Sequence, residues 1–190
     1  EEFVLLPSTG RGGAVYVKDT DVVMTDSIMD NNKALFGGAL YDAESRASEV
    51  ETKLDVRRTS FTNNFVPRKQ INTREECPDE KAVCTEDDCE FSSCRVAQRG
   101  GAGGAIWSLN TNSMAFNSCM FDGNSAELRG GAMDIEERGK LNEALFKKCS
   151  FTNNFSPGNG AAIFMTDGRT RFVKCNFVNN ESGDQGGAFF

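Results

Sequence analysis

The 190-residue sequence contains no histidine. That absence removes Ser-His-Asp and Cys-His nucleophiles, His-ligated zinc and haem, and the usual general base near neutral pH. Basic residues are outnumbered by acidic ones, 21 to 28, for a net charge of −7. Such a balance argues against a nucleic-acid or anionic-membrane partner, which calls for a basic surface. No apolar run approaches the ~18 residues of a spanning helix. The chain lacks an initiator Met, a signal-like basic-then-apolar segment and a terminal tail, so it is expected to be a processed chain or part of a longer exported one. Present in excess are 19 Gly and 15 Phe, the latter beside only two Tyr and one Trp. The length suits one domain with a real core.

Those excesses are periodic. Gly-Gly-Ala plus an apolar residue recurs at Gly12-Gly13-Ala14-Val15, Gly37-Gly38-Ala39-Leu40, Gly103-Gly104-Ala105-Ile106 and Gly130-Gly131-Ala132-Met133. It returns as Gly160-Ala161-Ala162-Ile163 and Gly186-Gly187-Ala188-Phe189. Between these tetrads lies Phe-x-x-Asn, anchored at Phe61, Phe121, Phe151 and Phe177, with variants at Ile28 and Phe91. The anchors are 33, 30, 30, 30 and 26 residues apart. A period of this length means a solenoid or a propeller. Gly-Gly and Asn-Asn in most periods exclude helices, and a blade needs more residues. The spacing predicts an all-β parallel β-helix of about six coils, one of them irregular: after Phe61 the Gly-Gly-Ala is replaced by Gln70-Ile71-Asn72, and a polar excursion over 67–88 carries Cys77 and Cys84.

Each period also predicts its own inward face. Cys89, Cys119, Cys149 and Cys175 precede the Phe anchors by two residues, and Val23, Val56, Phe116, Phe146 and Phe172 precede them by five. Alternation along a strand turns the Cys and Phe positions inward together. The residues Asn31, Asn63, Asn124, Asn153 and Asn179 read as a corner ladder, because Asn tolerates the left-handed conformation and its amide reaches the next coil.

The alternation of Gly-Gly-Ala-(Ile/Leu/Val) with Phe-x-x-Asn resembles the polymorphic outer membrane protein repeats of chlamydial surface proteins. It also resembles related arrays in large extracellular proteins of algae, ciliates and other protists. The resemblance covers nearly the whole chain apart from about 67–88. It implies a right-handed parallel β-helix acting as a surface passenger, adhesin or coat. The departures are Gln70-Ile71-Asn72 for Gly-Gly-Ala, Cys94 for Asn and Ala161 for Gly.

Candidate sites divide by chemistry. A file of thiols about 4.8 Å apart is a line rather than a tetrahedron, so buried thiols outweigh a metal site or inter-coil disulfides. Cys77–Cys84 is the preferred disulfide, with Cys94 as a competing partner. The position after each tetrad holds Tyr16, Tyr41, Trp107, Asp134, Phe164 and Phe190. Because Asp134 suits water, Tyr16, Tyr41, Trp107 and Phe164 are expected to form an exposed docking stripe for protein or glycan. The acids Asp134, Glu136, Glu137 and Asp167, with Arg129, Arg138, Arg169 and Arg171 nearby, do not recur in register as a polysaccharide-cleaving site requires. No catalytic residue, cofactor or metal ligand is therefore assigned. Calcium at Glu86, Asp87, Asp88 and Glu90 is left open without EF-hand spacing. Asn154-Phe155-Ser156 and Asn180-Glu181-Ser182 are glycosylation sequons, the first weakened by Pro157.

The expected function is a non-enzymatic extracellular or cell-surface scaffold or adhesin. Its partners are protein or glycan at a side face, and adjacent coils or other subunits at the rod ends. The alternatives are a subunit capped by neighbours in a large assembly, and a polysaccharide-active β-helix enzyme.

Overall fold

The computed structural model describes residues 10–44, 51–69, 99–136, 143–166 and 168–190. Every regular element among them is a β-strand. Strands stay short because a left-handed residue ends most of them. Asp26, Arg58, Ser118, Lys148 and Lys174 do so at one corner, and Asn31, Asn63, Gly123, Asn153 and Asn179 at the next.

The strands sort into three five-stranded parallel sheets and one four-stranded sheet. The first comprises Val15–Lys18, Leu40–Ala43, Ile106–Leu109, Met133–Glu136 and Ile163–Met165. The second comprises Val22–Thr25, Lys53–Arg57, Ser113–Asn117, Glu143–Lys147 and Arg169–Val173. The third comprises Ile28–Asp30, Ser60–Thr62, Met120–Asp122, Ser150–Thr152 and Asn176–Val178. The fourth comprises Phe65–Val66, Ser125–Ala126, Phe155–Ser156 and Glu181–Ser182. Within each sheet a strand pairs with its counterparts one turn earlier and one turn later. The chain is thus a parallel β-helix.

Three details correct the expected layout. Phe61 pairs in register with Phe121, so no rung is interposed between them. Among the described residues the stack has five rungs and the start of a sixth at Phe189, and the anchor expected at Phe91 lies outside them. The chain leaves the stack through an antiparallel pair, Arg68–Lys69 with Arg99–Gly100. Second, the anchor of the first rung is Met29, which pairs with Phe61, whereas Ile28 points outward and is 79 % exposed. Third, Met24 rather than Val23 aligns with Val56, and Val23 is 74 % exposed. Both shifts have one cause. With no Phe to mark the inward position, a one-residue slip exchanges the two faces of a strand.

The lumen is filled by ladders. Leu40, Ile106, Met133 and Ile163 stack along the first sheet. Phe61, Phe121, Phe151 and Phe177 lie nearly parallel, with ring centroids 5.0, 4.7 and 4.9 Å apart. Phe116, Phe146 and Phe172 form a second ring file, which meets the first edge-on. Offset stacks and edge contacts together suit the ring quadrupole better than face-to-face stacking alone.

At the Gly-Gly-Ala corner the two glycines have different duties. Gly103 is left-handed, with φ +66°. A Cβ on Gly104 would sit 1.9 Å from the Gly131 carbonyl oxygen, so the next rung leaves no room for one. The first glycine turns the chain and the second lets rungs approach.

Candidate functional site

The two roles that the sequence assigns to one asparagine are divided between neighbours. Asn31, Asn63, Asn153 and Asn179 supply the left-handed corner, with Gly123 in the third rung. The amide ladder is the next residue along: Asn32, Asn64, Asn124, Asn154 and Asn180. The Asn64 Oδ1 accepts from both the backbone N–H and the Nδ2 of Asn32, at 3.0 and 2.9 Å. Asn124 does the same for Asn64, Asn154 for Asn124, and Asn180 for Asn154. Each Nδ2 from Asn64 onward also donates to the carbonyl of a Phe-slot residue in the preceding rung. Of the five expected ladder residues, only Asn124 belongs to this chain of bonds. The ladder also withdraws both sequons, because Asn154 is buried and the Asn180 side chain is committed, its Oδ1 accepting from Asn154 and its Nδ2 donating to the Phe151 carbonyl.

The thiol file has three described members. Cys119, Cys149 and Cys175 are free, and Thr59 holds the same slot one rung before Cys119, where Cys89 had been expected. Each thiol sits beside two backbone carbonyls: Cys119 at Val56 and Asn117, Cys149 at Phe116 and Lys147, Cys175 at Phe146 and Val173. The hydrogen bond with Cys119, and then burial, push the Cys149 thiol upward. The same contact pulls the Cys119 thiol down, so the two neighbours are driven in opposite directions inside the lumen. No group able to hold a metal ion occurs among the described residues. Cys77, Cys84, Cys89, Cys94 and the acidic run Glu86, Asp87, Asp88 and Glu90 lie outside the described residues.

The aromatic file is in register as expected, Tyr16 beside Tyr41, Tyr41 beside Trp107, Trp107 beside Asp134 and Asp134 beside Phe164. It is on the outer side of the first sheet, yet it is not an exposed stripe. Tyr41, Trp107 and Phe164 are 3, 7 and 7 % exposed, and only Tyr16 is open, at 49 %. Phe36 and Ala102 pack with Tyr41 and Trp107 in a second small core, and the Arg11 guanidinium lies 5.2 Å from the Tyr41 ring centre. Segments leading into the Gly-Gly-Ala corners fold back over the file, which alternation along one strand cannot reveal.

Asp134 is the exception in that file, and Arg129 accounts for it. The Arg129 Nε donates to Asp134 Oδ2 at 2.7 Å, its Nη2 donates to Glu136, and its guanidinium lies 4.4 Å from the Phe164 ring centre. Burial pushes Asp134 up to about 7 against the pull of Arg129. Two of the four acids weighed for a polysaccharide-cleaving site, Asp134 and Glu136, are therefore engaged by one clamp. Glu137, Arg138 and Asp167 lie outside the described residues.

A polar cluster that the sequence did not announce sits inside the stack. Asp42 and Ser108 are partners in register. Thr111 donates to Asp42 Oδ2 at 2.9 Å, Ser108 donates to Thr111 at 2.9 Å, and Thr52 donates to Glu44 at 3.1 Å. All five residues are buried, and Asp42 Oδ1 has no partner. Burial pushes the Asp42 carboxyl up to about 6, the Thr111 hydrogen bond opposing and Glu44 adding to the rise. A file of lumen positions holding Val17, Asp42, Ser108, Ile135 and Met165 offered only mixed residue types as a signal.

Asp42 gives a pH dependence with a definite sign. Its folded-state value lies above the ordinary 3.8, so the fold binds a proton that the unfolded chain has released. Stability is therefore greatest near the lower value and falls as pH rises from about 4 through 6, by about 3 kcal/mol at most. Denaturant titrations at about pH 4.5 and 7 should show this loss together with one of the same sign from Asp134, and Asp42→Asn should reduce the total without abolishing it. A wild-type stability that climbs over that range would contradict the assignment.

Residues 148–166 match the Chlamydia polymorphic membrane protein repeat. The matched segment runs from the Lys148 corner through Cys149, Phe151 and Asn154 to the Gly160 corner and the strand Ile163–Met165. It thus contains one copy of each motif that recurs along the stack. No curated protein and no solved structure matches the chain. The match spans one repeat unit of the chain and points toward the surface-exposed repeat proteins in which that unit is found. Among the described residues no helix is long and apolar enough to cross a membrane.

Proposed function

We propose that this chain is a non-enzymatic scaffold or adhesin, extracellular or at a cell surface, that presents a β-helix side face to protein or glycan. The observation that carries this reading is the register. Strands in three sheets repeat over five rungs, so outward side chains form continuous files. A partner is met by the same position from rung after rung, and weak contacts add along the axis. The repeat match at 148–166 supports the surface setting.

The test has two parts. Antibody against the folded chain should label intact source cells, and the labelled chain should bind intact cells or an immobilised panel of surface proteins and glycans. Binding should disappear when the stack is unfolded. A chain that antibody reaches only in lysed cells and that binds nothing on the panel overturns the proposal.

A further inference from the structure

We propose that the outer face of Glu143–Lys147 and Arg169–Val173, with the corner that follows each strand, binds a sulfated polysaccharide. This deepens the side-face reading above and rests on it. Lys147, Lys148, Arg169, Arg171 and Lys174 are all exposed here, beside one acid among the described residues, Glu143. The register sets Glu143 beside Arg169, Leu145 beside Arg171 and Lys147 beside Val173, and the Lys148 N–H donates to the Val173 carbonyl at 2.8 Å. Lys148 and Lys174 therefore occupy one corner position in adjoining rungs, about 4.8 Å apart along the axis.

Among the described residues none of these five cations has an ion-pair partner, in contrast to the other arginines of the same sheet and its corner. Arg57 is clamped by Asp55, and Arg58 by Asp26 at 2.5 Å. The fold gains nothing from leaving the five unpaired, since like charges on neighbouring strands repel. The corner positions make the same point. Lys148 and Lys174 both have φ +55°, a conformation better suited to Asn or Gly, yet successive rungs place lysine there. Local stability accounts for neither choice.

The occupant follows from charge and shape. A cation at each rung matches a linear polymer with an anionic group on successive sugars, and the guanidinium fork of Arg171 suits a tetrahedral oxyanion. The adjoining rung is neutral, with Ser113, Asn117 and Ser118 facing outward to meet sugar hydroxyls. The face carries no exposed aromatic ring on which bases could stack. The chain is acidic elsewhere, at −7 overall, which disfavours a broad nucleic-acid or bilayer contact.

The experiment measures binding of a heparin octasaccharide to the full chain by calorimetry at about 0.15 M salt, where distant charges are screened. Fully desulfated heparin, a short DNA duplex and phosphatidylserine vesicles are the comparison probes. The octasaccharide should bind, and the three comparison probes should bind at least about tenfold more weakly. The Lys148→Ser/Lys174→Asn variant should lose about tenfold in affinity with an unchanged melting midpoint, and Arg57→Gln should lose little. Equal binding of desulfated heparin, duplex or vesicles, or an equal loss in Arg57→Gln, overturns the proposal. Cell binding that persists in the Lys148→Ser/Lys174→Asn variant and under excess heparin overturns it while leaving the side-face reading intact. Loss of cell binding by every chain, wild type included, overturns both.

Discussion

Replacing Asn124 with leucine is expected to cost about 4 kcal/mol or more of unfolding free energy, from several buried polar groups left unpaired at ~1–3 kcal/mol each. Asn124 sits at the middle of the amide ladder and is fully buried. Its Oδ1 takes two hydrogen bonds from Asn64, and its Nδ2 supplies the Phe61 carbonyl and Asn154. Leucine has nearly the same size, so the loss reports missing hydrogen bonds more than missing volume. At 0 % exposure Asn124 leaves bulk water no access to stand in for the lost partners. The paired control is Asn153→Gly. Asn153 is an exposed corner with φ +53°, where glycine is at ease, so its replacement should change stability by well under about 1 kcal/mol. Denaturant titration of both variants checks the contrast. Equal losses would mean that corner geometry rather than the amide ladder holds this edge together.

Phe121→Ala is expected to cost about 3–5 kcal/mol, the range for truncating a buried phenylalanine. Its ring lies between Phe61 and Phe151 at 5.0 and 4.7 Å and meets the edge of Phe116 at 5.8 Å. Each rung is hydrogen-bonded to its neighbours through every sheet, so the space left behind closes poorly. Because a solenoid rung contacts only its neighbours, a defect in the middle also weakens the coupling between the two ends. The unfolding transition should broaden as well as shift. Phe155→Ala, at an exposed position on the fourth sheet, should cost less than about 1 kcal/mol. A loss below about 1.5 kcal/mol at Phe121 would show that the ring file is loosely packed.

The fold was largely legible because the ladder positions demand particular residues. Gly104 meets a neighbouring carbonyl where no Cβ fits, and Phe121 stacks on its own kind, so both recur at a fixed period. Where those markers fail, register is lost. Met29 and Met24 face the lumen although Ile28 and Val23 are as apolar, and composition within four residues of strand does not distinguish them. That Phe61 pairs directly with Phe121, 60 residues on, is a long-range choice that the even spacing of the motif did not disclose.

By itself, then, the sequence determined that the chain is a repeat, that its strands are parallel and short, and that histidine chemistry is absent. Those properties follow from local steric demands repeated at each turn. Only the tertiary structure decided which of two adjacent asparagines bonds across rungs, that the aromatic file is covered, and that five unpaired cations share one face. Each of these depends on what lies one turn of chain away, and a linear pattern holds no information about that distance until the rungs are stacked.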